Sequence, residues 1–336
     1  MLKFDEQTYL ENAAAALARR AEVERVADEI ADRGYKNLFF VSVGGSLVVF
    51  DPFQYIAKQL TKIPVFVEHA AEIVLTGHTH LCRDSIVFMT SKSGDTKESV
   101  AAARYMRQRG IPVVSFVGDP QSPLGQNSDW VLSNKDSAGL EYPLILMLFL
   151  RLLNRNGEFP DGDYRRYVSQ LEVLPQGAVT NMKRFDPLAQ RIAREIYEEP
   201  YQIWIGSGEM WGQTYSFSMC IMEEMQWKRT KSVTSPEFFH GTLELADNTV
   251  PVFLVKGEGA CRPLDDRAEK FLRQYAPEKL HVLDIKEYPI EGLDEAFRWL
   301  LGPSIFGSFI YRLSAHHEQF SGHDLSIRRY YRQFDY

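Results

Sequence analysis

The stretch "NLFFVSVGGSLVV", Asn37–Val49, decides the fold. A continuous apolar run that ends in two glycines is what a strand covered on both faces gives as it enters a turn. Such strands lie in parallel sheets, where helices on both sides remove the usual alternation. "DPFQYIAKQL" (Asp51–Leu60) comes next with helical spacing. "IPVFVEH" (Ile63–His69), "DSIVFMTS" (Asp84–Ser91), "IPVVSFVGD" (Ile111–Asp119) and "DWVLSN" (Asp129–Asn134) read as further strands. Between the second and third of these, "KESVAAARYMRQRG" (Lys97–Gly110) is an amphipathic helix closed by Gly110. Strand, helix and strand at this spacing predict a doubly wound parallel sheet.

The second half repeats the grammar. "YQIWIGSGE" (Tyr201–Glu209) is again an apolar strand entering a small-residue turn, and the helix "MWGQTYSFSMCIMEEMQW" (Met210–Trp227) continues from it. "TVPVFLVKG" and "KLHVLDI" read as strands flanking the helix "PLDDRAEKFLRQYA". The match of "FFVSVGGS" to "IWIGSGE" is topological and suggests two copies of one α/β domain. The expectation is an α/β chain of two tandem doubly wound domains flanked by helices. Residues 1–155 form the first with an N-terminal helix, 156–187 a helical connection, and 188–336 the second with a C-terminal tail.

Bulk properties narrow the class. With 45% hydrophobic residues, 12% of all residues aromatic, the chain can fill a core, which excludes a disordered protein. A net charge of −7 argues against a nucleic-acid partner, which calls for a basic patch or stripe. The first residues are polar and then helical, unlike a signal peptide, and "PLILMLFLRLL" (Pro143–Leu153) is too short to cross a bilayer. Cys82, Cys220 and Cys261 match no metal spacing and read as reduced, buried thiols. A cytoplasmic protein with no membrane or nucleic-acid partner and no metal is expected. "VGGS" is not a full G-x-G-x-x-G and no Walker loop is present, so a nucleotide cofactor is disfavoured.

Two places carry candidate chemistry. The loop "SKSGDT", Ser91 to Thr96, leaves a buried strand and enters a helix. Hydroxyls and free amides gathered at a helix N-terminus suit a phosphate. The same letters also allow plain capping, with Asp95 and Glu98 as a capping box. Ser46, at the end of the first strand, is either a neighbour of that loop or a turn serine capping the next helix. Glu224 lies in a segment apolar nearly all round (Phe217, Met219, Ile221, Met222, Met225, Trp227), which would desolvate it toward the pKa of a general base. Alternatively Glu223 and Glu224 form one solvated face. His240, in "SPEFFHG", is a structural residue or a proton carrier.

Four segments taken together resemble a known family: "SVGGSLVVFDPFQYIAKQL", "MTSKSGDTKESV", "CIMEEMQW" and "SPEFFHGTLEL". Their order and spacing are similar to those of proteins with two sugar isomerase (SIS) domains, among them the isomerase half of glucosamine-6-phosphate synthase. The closer resemblance is to the ketosamine-6-phosphate deglycases, which carry an Arg-Arg-Tyr segment like "RRYYRQFDY" (Arg328–Tyr336). The resemblance implies a deglycase that hydrolyses a 6-phosphorylated ketosamine, with an aldose–ketose isomerase or a non-catalytic sugar-phosphate sensor as alternatives. It implies substrate binding by Gly45, Ser46, Ser91, Lys92, Ser93 and Thr96, with Lys92 standing where the synthase has Gln. It implies an acid–base role for Glu224, a ring-opening and proton-handling role for His240, and no cofactor. It also implies a homodimer or larger homo-oligomer, in which His240 acts on substrate held by the partner chain. Asp51, Glu68, Glu72, Arg328 and Arg329 are candidate contacts for the released amine.

Overall fold

In the computed structural model, which describes residues 1–335, the run at Asn37 forms strand β1, Asn37–Ser42, with every residue buried. Tyr336 lies outside the described residues. The chain divides into two compact units, Glu6–Pro175 and Met1–Asp5 with Gln176–Tyr336.

The first unit is built on β1, β2 (Val65–His69), β3 (Ser85–Ser91), β4 (Val113–Val117) and β5 (Trp130–Ser133). Their order is β2-β1-β3-β4-β5, all parallel. Alternate residues serve opposite faces. Phe39, Val41, Val87 and Met89 pack under Ile73 of one helix (Ala70–Thr76) and under Val100, Ala103 and Met106 of another (Lys97–Gln108). On the other face Phe40 stacks on Phe53 at 4.6 Å and on Phe88 at 4.9 Å, and meets Phe149 at 6.2 Å. Phe53 and Phe149 come from the helices Asp51–Leu60 and Glu141–Arg155, so helices cover both sides. The apolar run at Pro143 is therefore a buried core helix. Among the described residues no helix is long and apolar enough to cross a membrane.

The second unit carries β6 (Tyr201–Gly206), β7 (Arg229–Val233), β8 (Val252–Lys256) and β9 (Leu280–Asp284) in the parallel order β7-β6-β8-β9. Ile203, Ile205, Val252 and Leu254 bury one face under Ala268 and Leu272 of the helix Arg262–Tyr275. On the other, Trp204 stacks on Phe253 at 4.1 Å. Two elements escape the sequence reading. β7 reads "RTKSV", an edge strand with only Val233 buried, so it lacks the apolar signal of the inner strands. The closing helix, Glu295–Ser321, contains Pro303 and is buried almost throughout, which erases helical amphipathicity.

Each sheet reverses its strand order once, between β1 and β3 and between β6 and β8. Ligands of open parallel sheets bind at such a reversal, beyond the carboxyl ends of the strands, because the outgoing loops diverge and leave a crevice there.

Candidate active site

At the first crevice the loop after β3 brings together Ser91 and Thr96, two of the hydroxyls expected to bind phosphate. β1 runs through Val43 into the short helix Gly44–Val48; Gly44 has φ +56°, Gly45 is exposed and Ser46 half-buried. The N-cap is Val43, so Ser46 sits inside the turn and does not cap it. After β3 the loop bends back on itself. The Gly94 amide donates to Ser91 Oγ at 3.0 Å, and Thr96 Oγ1 lies 3.4 Å from the same hydroxyl. Ser93 donates to Asp95, while Lys92 and Ser93 are exposed. The next helix has Thr96 as its N-cap, with no side-chain cap bond.

Two backbone bonds fix the loop from below: Gly118 N to Lys92 O at 3.2 Å, and Leu124 N to Gly94 O at 2.9 Å. Gly94 has φ +68°, and a Cβ there would fall 2.1 Å from Ser122 Oγ. Gly94→Ala is expected to destabilise the protein by about 1–3 kcal/mol and to weaken phosphate binding at least as much, read by thermal unfolding and by titration with a sugar phosphate. Beneath the loop lies a residue the sequence reading missed. Glu141 accepts from Thr90 Oγ1 and from Asn134 Nδ2 (2.9 Å), and burial pushes its carboxyl up. A lone carboxyl at the head of an apolar helix was the available signal. Asp51, in the first turn of its helix, is likewise pushed up by burial, to about 6.

Glu224 comes directly after a π-helical segment, Phe217–Glu223. A π turn inserts an extra residue and rotates the positions beyond it. Glu224 consequently leaves the apolar face, and of the two sequence readings the partly solvated one, beside the exposed Glu223, is what forms. It keeps 28% side-chain exposure, and its Oε1 accepts from Arg328 Nε at 2.9 Å. It stands on the wall of an open groove of about 1090 Å³ with Glu223, Trp227, Lys228, Arg229 and the tail residues Arg328 and Arg329. Arg329 lies over the Trp227 ring at 4.2 Å. Cations outnumber acids here, so the groove suits an anionic or electron-rich ligand.

His240 stands elsewhere. The helix Ser235–Phe238 succeeds β7; Phe238 is buried, Phe239 is half-buried under Arg267 at 3.9 Å, and Glu237 and His240 are exposed. Glu224 and Thr230 lie at the amino end of β7, where Thr230 donates to Glu223, whereas His240 lies beyond its carboxyl end. Five residues of strand (Arg229–Val233) at about 3.3 Å each span roughly 16 Å. One chain does not bring the two residues together.

The root of the His240 segment is a buried polar cluster. Ser235 N donates to Ser207 Oγ at 2.8 Å and Ser235 Oγ donates to Asp265 at 2.5 Å. Burial, aided by Glu209, pushes Asp265 up to about 7 from an ordinary 3.8. The folded state therefore holds this proton more tightly than the unfolded chain. Its contribution is greatest below pH about 4 and declines as pH rises to about 7, by a few kcal/mol at most. Asp265→Asn is expected to flatten that decline while still accepting from Ser235, measured as Tm against pH. Of the cysteines, Cys82 is exposed, contrary to the sequence reading, while Cys220 is half-buried and pushed up to about 11 by burial.

Residues 33–149 match the family described as the SIS domain. Over those residues the chain is similar to SIS domains. Similarity to individual proteins runs well beyond it. Fructosamine deglycase FrlB of Bacillus subtilis is 28% identical over 325 residues, covering 94% of this chain and 97% of that one. Fructoselysine 6-phosphate deglycase of Escherichia coli K12 is 20% identical over 267 residues, covering 79% and 78%. A crystal structure from Bacillus subtilis, provisionally described as a phosphosugar isomerase, superposes with a TM-score of 0.90 at 26% identity over 96% of this chain and 100% of that one. The resemblance to the ketosamine-6-phosphate deglycases thus holds in sequence, and the two parallel-sheet units are the fold of its structural neighbours.

Proposed function

We propose that the protein hydrolyses a 6-phosphorylated ketosamine to a sugar 6-phosphate and a free amino acid or amine. The observation that carries this reading is Glu224, a carboxylate on the wall of an open cationic groove, in a chain aligned almost end to end with a fructosamine deglycase. Ser46, Ser91, Ser93 and Thr96 hold the phosphate through hydroxyls and loop amides, with Gly45 leaving the approach open. His240, supplied by the partner chain of a homodimer, opens the sugar ring; its distance from Glu224 along β7 supports that arrangement.

Glu224 removes a proton from carbon 1, and the electron pair of that C–H bond forms a double bond to carbon 2, whose carbonyl oxygen takes a proton. Reprotonation at carbon 2 moves the double bond to carbon 1 and nitrogen. Water adds to the resulting imine at carbon 1, the C–N bond breaks, and the amine leaves with a proton. The sum is ketosamine phosphate plus water giving aldose phosphate plus amine, with no oxidant or metal needed for balance. One carboxylate shuttling a proton between adjacent carbons is ordinary general acid–base work.

The test is release of sugar 6-phosphate from phosphorylated fructose-lysine, fructose-asparagine and fructose-aspartate, coupled to glucose-6-phosphate dehydrogenase. Release from any one supports the deglycase. The likeness to a phosphosugar isomerase favours one alternative, an aldose–ketose isomerase that stops before water enters. Silence with the ketosamines and interconversion of fructose 6-phosphate or glucosamine 6-phosphate would establish that alternative.

A further inference from the structure

The two crevices are built to one plan, and the second is already full. β1 and β6 are each six residues long, and each passes through a single extended residue, Val43 or Ser207, into a glycine with nearly the same backbone: φ +56° at Gly44 and +57° at Gly208. The next position is Gly45 in the first unit and Glu209 in the second. The facing loops also correspond. Residues 92–96 separate β3 from its helix and residues 257–261 separate β8 from the helix Arg262–Tyr275, five in each case (96 − 91 and 261 − 256). The third residue of each is a glycine, Gly94 or Gly259.

In the first unit the Gly94 amide turns to Ser91 Oγ and Gly45 is exposed. In the second the Gly259 amide donates to Glu209 Oε1 at 2.6 Å, and the amides of Glu258 and of Glu209 itself also serve that carboxylate. The side chain is 1% exposed. A Cβ at Gly257 would fall 2.3 Å from Oε1, so a bare glycine surface seats the carboxylate. Burial, with Glu258 nearby, pushes the Glu209 carboxyl up while these amides draw it back down; backbone amides at the head of a helix, closed over a buried oxygen-bearing group, are how such loops hold a phosphate.

We propose that the second unit retains an anion cradle of the same build as the phosphate loop, closed by its own Glu209 carboxylate, so that the chain binds one phosphomonoester and not two. This rests on the reading of the Ser91–Thr96 loop as a phosphate site. Removing the Glu209 side chain would open a second site for a phosphate-like anion, with the amides of residue 209, Glu258 and Gly259 as its donors. Asp265, held by Ser235, and Glu258, paired with Arg298, stand beside this cradle, so the site would be more receptive at mildly acid pH, where the Asp265 carboxyl takes up its proton.

The experiment is calorimetric titration of the full chain with glucose 6-phosphate and with inorganic phosphate at mildly acid pH, for wild type, Glu209→Gly and Glu209→Gln. One site per chain is expected for wild type, two for Glu209→Gly, and one for Glu209→Gln, whose amide still fills the cradle. A folded Glu209→Gly with wild-type stoichiometry overturns the proposal. Where Glu209→Gly fails to fold in chloride, refolding in inorganic phosphate at equal ionic strength decides: recovery specific to phosphate supports the cradle, and equal failure in both overturns it. Wild type with no site and Glu209→Gly with one would count against the first unit's phosphate loop while leaving the cradle standing.

Discussion

Glu224→Gln is expected to lower kcat by about 10²–10⁴-fold, the usual contribution of a positioned acid–base group, while sugar-phosphate affinity changes little. Glutamine preserves the shape and still accepts from Arg328 Nε, so the ion pair becomes a neutral hydrogen bond and the fold is kept. Tm should therefore stay close to wild type. Exchange of the carbon 1 proton in heavy water reports the step itself and should fall in parallel with kcat. A variant that exchanges and turns over at wild-type rates removes Glu224 from the mechanism.

The second large effect is complementation. His240→Ala is expected to be nearly inactive on its own, as is Glu224→Gln. If each site takes Glu224 from one chain and His240 from the other, a mixed dimer holds one intact site and one doubly altered site. Random exchange at equal amounts makes half of the dimers mixed, and half of their sites are whole. Recovery of about a quarter of wild-type activity is then expected after co-refolding, from the two-fold symmetry of such an interface. Sites contained in one chain would show no recovery at all. The 16 Å scale of β7 makes the shared arrangement the one to expect.

Much of the fold was legible because the inner strands are buried on both faces. β1 and β3 show unbroken burial, and such runs announce themselves without knowledge of their neighbours. The loop after β3 was legible too, since hydroxyls, glycine and a helix start occur in one short stretch. β7 was not legible, because an edge strand of alternating exposure carries no such run. Glu224 shows a different limit. Its sequence neighbours allowed an enclosed or a solvated carboxylate, and a π turn decided between them by turning it onto a groove wall beside Arg328, a residue from a distant part of the chain. Glu141 was hidden for a similar reason: Thr90 and Asn134, which hold it, are brought together only by pairing of β3, β4 and β5.

The sequence by itself determined the doubly wound sheets and the serine- and glycine-rich loop after β3, because each is written in local periodicity or in a short contiguous stretch, while the resemblance singled out Glu224 and His240 as candidate acid and base. Tertiary structure alone decided that Glu224 and His240 lie at opposite ends of β7, that Arg328 pairs with Glu224, and that Glu209 fills the second cradle. Those are relations among segments that only strand order and loop closure bring to one place, and a linear pattern does not encode distances across a sheet.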